Sequence, residues 1–580
     1  MAGLVLVVTR ERAAARPVAR RLHRLAARLV PDNTTPAPPD IREEDGLARL
    51  VVNPVAGVAV RPEGVCLGAL FDGEGWATVG ASSPEGTYAL VRHDARVVEL
   101  LTDAFATRTI WYVHRPEVFL ASTSQRALVA LLGRFEPCPE AATWMAAAGN
   151  LGPETAWDAR LRRVPGAARL RLDRETWQLT TSRAELAYEP RSLSPDEHLA
   201  RLQAAVFDVC ARLDVERVPS ALTLSGGYDS RSLLVGLARA GKSVRCVTWG
   251  LAASASRPGN DAVIARRLAE RFGMPYEYLV LDPGEAPVRP AFTRFLEAGE
   301  GRIEDYSGYT DGCAAWKRLV ESGVTAVIRG DSPGWGFPFP PVNDTVARSI
   351  VHEMTLVADY PEGDLIHRLG LAPQRPPAGL FMREGESLDH YRDRIYNEYE
   401  LPSCMAAFNQ VKCAYVEVVN PLLASSVVRV ASELPDELRH LRCGFERMVA
   451  ALVPDVPFAS EGADEPLEHY LSRPPVVEEL AAELSSQAAR RVFAGAALDL
   501  VVDDLVRPLS EARRRLRERV RAALPERLIR TLRPAPRPHV TTRSLAWRMY
   551  IAARMAAILD EDAGFFAGST AGLLDPAAEP

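Results

Sequence analysis

The chain has 580 residues, of which 47% are hydrophobic and 25% charged, and a net charge of −6. That length favours two or more domains, the composition is globular, and the slight acidity gives no sign of a nucleic-acid partner. No apolar run is long enough for a membrane helix, and the start MAGLVLVVTRERAAARPVARR puts its apolar stretch before its charges, the reverse of a signal peptide, so a cytoplasmic protein is expected. From the start to residue 185, short strands at 67–70, 88–91, 97–101, 109–113 and 118–121 are separated by Gly, Pro, Asp and charged residues. Residues 185–195 are polar, hold two prolines and read as a linker. Residues 196–455 alternate: helix 199–213, strand 221–224, helix 231–240, strand 244–249, helix 261–272, strand 276–281, helix 312–321 and strand 326–329. Such alternation predicts a parallel sheet with crossover helices and a ligand at the carboxyl ends of its strands. Beyond 455 the chain reads as helical and Arg-rich, with a Pro-rich break at 532–538 and a last helix at 544–560. The expected domains are 1–185, 196–455 and 456–580.

The densest chemical signal is Leu224-Ser225-Gly226-Gly227-Tyr228-Asp229-Ser230, between a predicted strand and a predicted helix. Two glycines let the backbone approach an anion and adopt conformations closed to other residues. Amides at a helix start are unpaired and favour negative charge. Ser225 and Ser230 add hydroxyls, and Asp229 is a candidate Mg²⁺ ligand, since that ion takes oxygen ligands and bridges phosphates. The run is not the G-x-x-x-x-G-K-[ST] loop of γ-phosphate transfer. Eight cysteines without a C-x-x-C pair and ten histidines without ligand spacing predict neither disulfides nor zinc. Lys242, Lys317 and Lys412 are the three lysines, so a mechanism needing lysine has three candidates.

The Ser-Gly-Gly-x-Asp-Ser pattern resembles the pyrophosphatase loop of ATP-dependent adenylating enzymes, and the chain around it resembles asparagine synthetases. Residues 261–276 are similar to their helix after the second strand, although Asn260 or Asp261 is also an ordinary helix cap. Val327-Ile328-Arg329-Gly330-Asp331-Ser332-Pro333-Gly334-Trp335-Gly336 resembles a degenerate form of their Gly-Glu-Gly-x-Asp-Glu loop, with Gly334 near the place of the second acid. Glu417-Val418-Val419-Asn420-Pro421-Leu422-Leu423-Ala424 resembles Glu-x-Arg-x-Pro-Phe-Leu-Asp, with Val419 for Arg and Ala424 for Asp. Upstream, the stretches 85–90, 102–112 and 119–122 look like the family's glutaminase domain. The implied fold is α/β: an Ntn-type αββα glutaminase-like domain, then a parallel-sheet adenine-nucleotide α-hydrolase-like (PP-loop) synthetase domain.

The resemblance implies ATP and Mg²⁺ as cofactors, with Leu224, Ser225, Gly226, Gly227, Asp229, Ser230, Thr248, Trp249 and Gly330 around the nucleotide and Asp229 on the metal. Core packing is an equal reading for Thr248 and Trp249. Asp331 is expected to act on substrate or metal. The family lysine after the Pro-Phe-Leu-Asp stretch has no counterpart, because no lysine follows Lys412. Arg447 or Arg442 is expected to supply its charge, or Lys412 from the preceding helix; a surface lysine and a structural salt bridge are the plain alternatives for Lys412 and Arg447. Ser307, Tyr306 and Tyr309 are weaker substrate candidates, with a helix cap at Asp311 as the alternative. Asparagine synthetases begin Met-Cys, and that Cys hydrolyses glutamine; here Met1-Ala2-Gly3 offers no thiolate, and the first Cys is Cys66. A non-hydrolytic first domain on an adenylating domain is similar to β-lactam synthetases and lasso peptide macrocyclases. That implies intramolecular amide closure on a small-molecule or peptide carboxylate, with a partner peptidase or peptide-recognition protein. Amidation with free ammonia, acyl transfer to another acceptor, and a nucleotide-binding pseudoenzyme scaffold remain alternatives.

Overall fold

The computed structural model describes residues 3–11, 18–284, 287–333, 365–507 and 540–566. Ala2, Gly334–Gly336 and the Pro-rich break at 532–538 lie outside them. Two antiparallel six-stranded sheets form the first half. One runs in the order Arg162–Arg163, Trp111–His114, Val118–Ser122, Gly3–Thr9, Leu47–Val52 and Asp40–Glu44. The other runs Leu179–Arg183, Ala168–Asp173, Val97–Thr102, Gly86–His93, Gly64–Leu70 and Ala59–Arg61. Alternate residues of Gly3–Thr9 face opposite ways, as strand geometry requires. Leu4, Leu6 and Val8 meet Val65, Leu67 and Leu100 between the sheets. Val5 and Val7 meet Leu22, Leu25 and Leu128 of the helices Val18–Arg28 and Gln125–Leu132. The apolar opening of the chain is thus a central strand covered on both faces.

The third sheet is parallel throughout, in the order Tyr276–Val280, Arg245–Gly250, Ser220–Thr223, Ala326–Ile328 and Glu417–Val419. Leu222, Cys246 and Ile328 pack on one side against Leu202, Leu233, Leu268 and Met448. Ala221, Val247 and Val327 pack on the other against Phe295, Trp316 and Leu319. Helices on both faces bury Ala326–Ile328 and Glu417–Val419 fully and most of the central strands, so these read as apolar runs, whereas the edge strand Tyr276–Val280 stays partly exposed. The mixed α/β class expected from the sequence is the one observed.

The helix Thr542–Gly564 ties the halves together. Trp547 and Tyr550 are buried against Phe292. Asp562 accepts from Arg126 Nε at 2.7 Å and Arg548 Nε donates to Glu304 at 2.8 Å. Arg108 of the first half and Glu417 of the parallel sheet form a further buried ion pair. Among the described residues no helix is long and apolar enough to cross a membrane.

Several segments differ from the expectation, among them the helix Val288–Gly299, since no element was expected between 281 and 312. The helix expected at 231–240 starts at Tyr228, which shortens the turn before it. Residues 458–464, expected to be helical, are an irregular strap, because Pro457, Gly462 and Pro466 break helical hydrogen bonding.

Candidate nucleotide site

The strand Ser220–Thr223 lies in the middle of the parallel sheet, and its neighbours leave it in opposite directions along the sheet. That is the switch point where such sheets bind ligands. A cavity of about 250 Å³ opens there, lined by Leu224, Ser225, Asp229 and Ser230 from the turn, Thr248 and Trp249 from the next strand, and the loop Arg329–Asp331. Asp261, Ala463 and Asp464 complete its wall.

The turn is held by its own side chains. Ser225 N donates to Ser230 Oγ at 3.0 Å, and Gly227 N donates to Ser225 Oγ at 3.2 Å. Gly226 N donates to Asp261 Oδ1 at 2.9 Å. The amides left for an anion are therefore those of the first helical turn, from Tyr228 on, which have no intrahelical acceptor. The glycines serve contact rather than unusual backbone angles. Gly227 has φ −84°, and Gly226 is not in the left-handed region. A Cβ at Gly226 would lie 2.5 Å from Ala459 Cβ, and one at Gly330 would lie 2.8 Å from Ser230 N. Gly330 thus seats the second loop directly on the start of the helix.

Asp331 is 5% exposed, accepts from Arg329 Nη2 at 2.9 Å and from Asn409 Nδ2 at 2.7 Å. Burial pushes its pKa up, but Arg329, Asn409 and Lys412 outweigh this and hold it below the usual carboxylate value. Asp229 is met by Arg442, Nη2 to Oδ1, at 2.5 Å. Thr248 Oγ1 donates to Leu224 O at 2.5 Å, which binds the second strand to the turn. Trp249 lies against Trp316 with ring centroids 5.2 Å apart.

Lys412 is not a surface lysine. It is 1% exposed, donates to Tyr309 Oη and Phe408 O at 3.0 Å, and sits over the Phe408 ring. Burial drives its pKa well below the usual lysine value, Arg329 acts in the same direction, and Asp331 and Asp305 oppose. It stands behind the cavity wall rather than in it. Arg447 is outside the site: its side chain is 61% exposed and pairs with Asp196 at 2.6 Å, because its helix turns that face to solvent. Tyr306 and Tyr309 are core residues, Ser307 Oγ donates to Asp305, and Asp311 caps a helix through Ala315 N.

The strap 458–464 is the part of the site that sequence reasoning missed. Ala459 N donates to Gly226 O, Asp261 N to Glu461 O and Leu251 N to Ala463 O. Phe458 stacks on Tyr228 at 4.0 Å and lies 3.8 Å beneath the Arg231 guanidinium, which also holds Val456 O and Pro457 O. The pKa of Asp464 is raised to about 7, first by burial and then by Asp305 and Asp261. Asn260 caps the helix Asp261–Arg271, which frees the Asp261 carboxylate for Gly226. The signal available was the Pro and Gly spacing around the strap; nothing in the sequence paired it with Gly226.

Residues 201–332 match the asparagine synthase family. The match spans the turn, both flanking strands and the loop through Asp331, and supports likeness to an ATP-dependent carbon–nitrogen ligase. No curated protein matches the chain. A structure described as the allosteric regulatory enzyme of purine biosynthesis is 10% identical over 48% of this chain and 80% of its own, with a TM-score of 0.20. The glutamine phosphoribosylpyrophosphate amidotransferase of B. subtilis, complexed with ADP and GMP, is 12% identical over 61% and 78%, also with a TM-score of 0.20. Likenesses of that size do not bear on activity. The asparagine synthase-like segment ends at 332, so the strap, Lys412 and Arg442 lie outside it.

Proposed function

We propose that the chain is an ATP-dependent amide-forming ligase that releases AMP and pyrophosphate. The observation that carries this reading is the Ser225–Ser230 turn, set at the switch point of a parallel sheet and open to the cavity beside Asp331. A substrate carboxylate attacks the α-phosphorus of ATP, the bond to the bridging oxygen breaks, and pyrophosphate leaves with that oxygen. An amine then attacks the acyl carbon, AMP departs, and the surplus amine proton passes to solvent. First-turn amides and the Arg442 guanidinium oppose the charge of the phosphates.

The donor set fits Mg²⁺, which usually takes one or two carboxylates together with substrate phosphates. Asp229 would hold the ion, which would neutralise phosphate charge; among the described residues no three His, Cys, Asp or Glu side chains form a metal cluster of their own. The nitrogen donor in this reading is an amine or free ammonia rather than glutamine. Intramolecular lactam closure in specialised peptide metabolism is the preferred form. Holding amine and acyl group together can remove roughly 7–11 kcal/mol of barrier at best. A peptide or small carboxylate is then the substrate, with a peptidase or peptide-recognition protein as partner in the cytoplasm. A nucleotide-binding scaffold without turnover is the second reading, favoured by the engagement of Asp229 with Arg442 and of Asp331 with Arg329 and Asn409.

Calorimetric titration with Mg·ATP, followed by assay of AMP and pyrophosphate with peptide substrates, separates them. The wild type is expected to bind and to form AMP, and Asp229→Ala to lose at least about tenfold in affinity, the scale of one charge-assisted contact. Binding without AMP selects the scaffold. A wild type that does not bind overturns both.

A further inference from the structure

Arg442 combines three features that a plain salt bridge does not need. It stands at the start of the helix Cys443–Leu452 with φ +60°, a left-handed conformation unfavourable for a residue with a Cβ. Its Nη2 engages Oδ1 of Asp229 at 2.5 Å, with the two side chains 13% and 24% exposed. Its Nε is buried and has no hydrogen-bond acceptor. A buried N–H without an acceptor is unfavourable, and the guanidinium fork matches two oxygens of a phosphate. Arg442 is not itself in the cavity wall but meets it through Asp229, so an anion in that cavity is within reach of the guanidinium only if the side chain moves.

Arg442 holds Oδ1 of Asp229, and a divalent cation on either oxygen of the same carboxylate would stand close to the guanidinium and be repelled by it. The guanidinium and the cation compete for that carboxylate, and a phosphate is what relieves the competition. We propose that Arg442 and Asp229 exchange partners when a magnesium nucleotide binds: the guanidinium moves onto a phosphate, and the carboxylate is released to the cation. This rests on the nucleotide reading above and adds an order to it. A free divalent cation binds poorly, because it must come up against the guanidinium that Asp229 holds and brings no anion to take it. The cation enters with the nucleotide, which offers Arg442 a new partner. Arg442 is a positioning residue in this scheme; it prepares Asp229 and orients a phosphate.

The test measures two affinities, Mn²⁺ alone by electron paramagnetic resonance and Mg·ATP by calorimetry, for the wild type, Arg442→Gln and Arg442→Lys. In Arg442→Gln, Mn²⁺ alone is expected to bind about tenfold or more tightly than in the wild type, and Mg·ATP about tenfold or more weakly. Arg442→Lys keeps the charge without the fork, so it should exclude Mn²⁺ like the wild type and still lose Mg·ATP affinity. Asp229→Asn should abolish Mn²⁺ binding in every background. Opposite shifts distinguish exchange from a structural role, which moves both affinities down. In Arg442→Gln, shifts in the same direction, a shift in one affinity alone, or none overturn the exchange while leaving the nucleotide site standing. Absence of Mg·ATP binding in the wild type overturns both. If Arg442→Gln does not fold, Arg442→Lys decides: full Mg·ATP affinity there overturns the proposal.

Discussion

Asp464 shows how a single side chain reports the character of the cavity. It is open to the cavity, yet its pKa is raised to about 7 by surrounding protein and by Asp305 and Asp261. In the unfolded chain the same group titrates near 3.9. Below about pH 4 it is protonated in both states and has no effect on stability. Between about pH 4 and 7 the folded state holds a proton that the unfolded state has lost, so stability falls as pH rises; above about 7 the penalty is constant. Cavity water softens the effect. Asp464→Asn removes it, so the variant is expected to melt above the wild type at pH 8, with the difference shrinking toward zero as pH is lowered to 4. Thermal melts across that range check this, and a difference independent of pH would contradict it. The same carboxyl was beyond sequence reading, because its shift depends on residues far from it in the chain, at 261 and 305. Ser225 and Ser230 were legible because they are neighbours both in sequence and in space, whereas the Arg442 partner of Asp229 was not.

Elements differ in the same way. The alternation of strands and helices from 196 to 329 was readable, since each strand is a short apolar run bounded by Gly, Pro or charged residues and each helix carries an apolar stripe. Strand order was not readable, because Ser220–Thr223 pairs with Arg245–Gly250 and with the distant Ala326–Ile328. Nor was the place of Gly3–Thr9, whose partners are Val118–Ser122 and Leu47–Val52. The helix Thr542–Gly564 was expected nearly at its observed position, at 544–560, but what it packs against was not readable. Its burial settles on the core: Trp547, Tyr550 and Ile551 are fully buried. Asp562 anchors its end on Arg126, the two side chains being 2% and 3% exposed. Removing one member of a buried pair leaves the other charge without compensation, at a cost of about 3–5 kcal/mol. Asp562→Ala should therefore lower unfolding free energy by that amount in urea, although Asp562 lies far in sequence from the nucleotide turn. A loss below about 1 kcal/mol would mean that Glu297, 3.5 Å from Arg126, or water takes the place of Asp562.

On the scale of the whole molecule, the two halves share one interior. The largest apolar cluster joins Val129, Met145 and Trp157 of the first half to Phe295 and Trp316 beside the parallel sheet and to Trp547 of the last helix. Arg108 and Glu417 add a buried ion pair across the same boundary, and Glu300 beside the parallel sheet caps the helix Gln125–Leu132 through Gln125 N. Domains separated by a polar, hydrated contact unfold independently, whereas those joined by a shared apolar core do not. The part built on the two antiparallel sheets is therefore packed as one interior with the parallel-sheet part. Differential scanning calorimetry of the full chain should show one cooperative transition over the described body. Residues 196–580 expressed alone should expose Phe295, Trp316 and Trp547, bind a hydrophobic dye and lack a sharp melt. Two separate transitions in the full chain, or a cooperative melt of the isolated second half, would show that the cluster is a contact between independent units rather than a common core. The distinction bears on the site, because Lys412 and Asn409 sit on the helix Ala406–Cys413, whose Cys413 touches Arg108 of the first half. In a single cooperative unit, changes at that boundary reach Asp331 through Asn409, so the first half sets the geometry of the cavity without lining it.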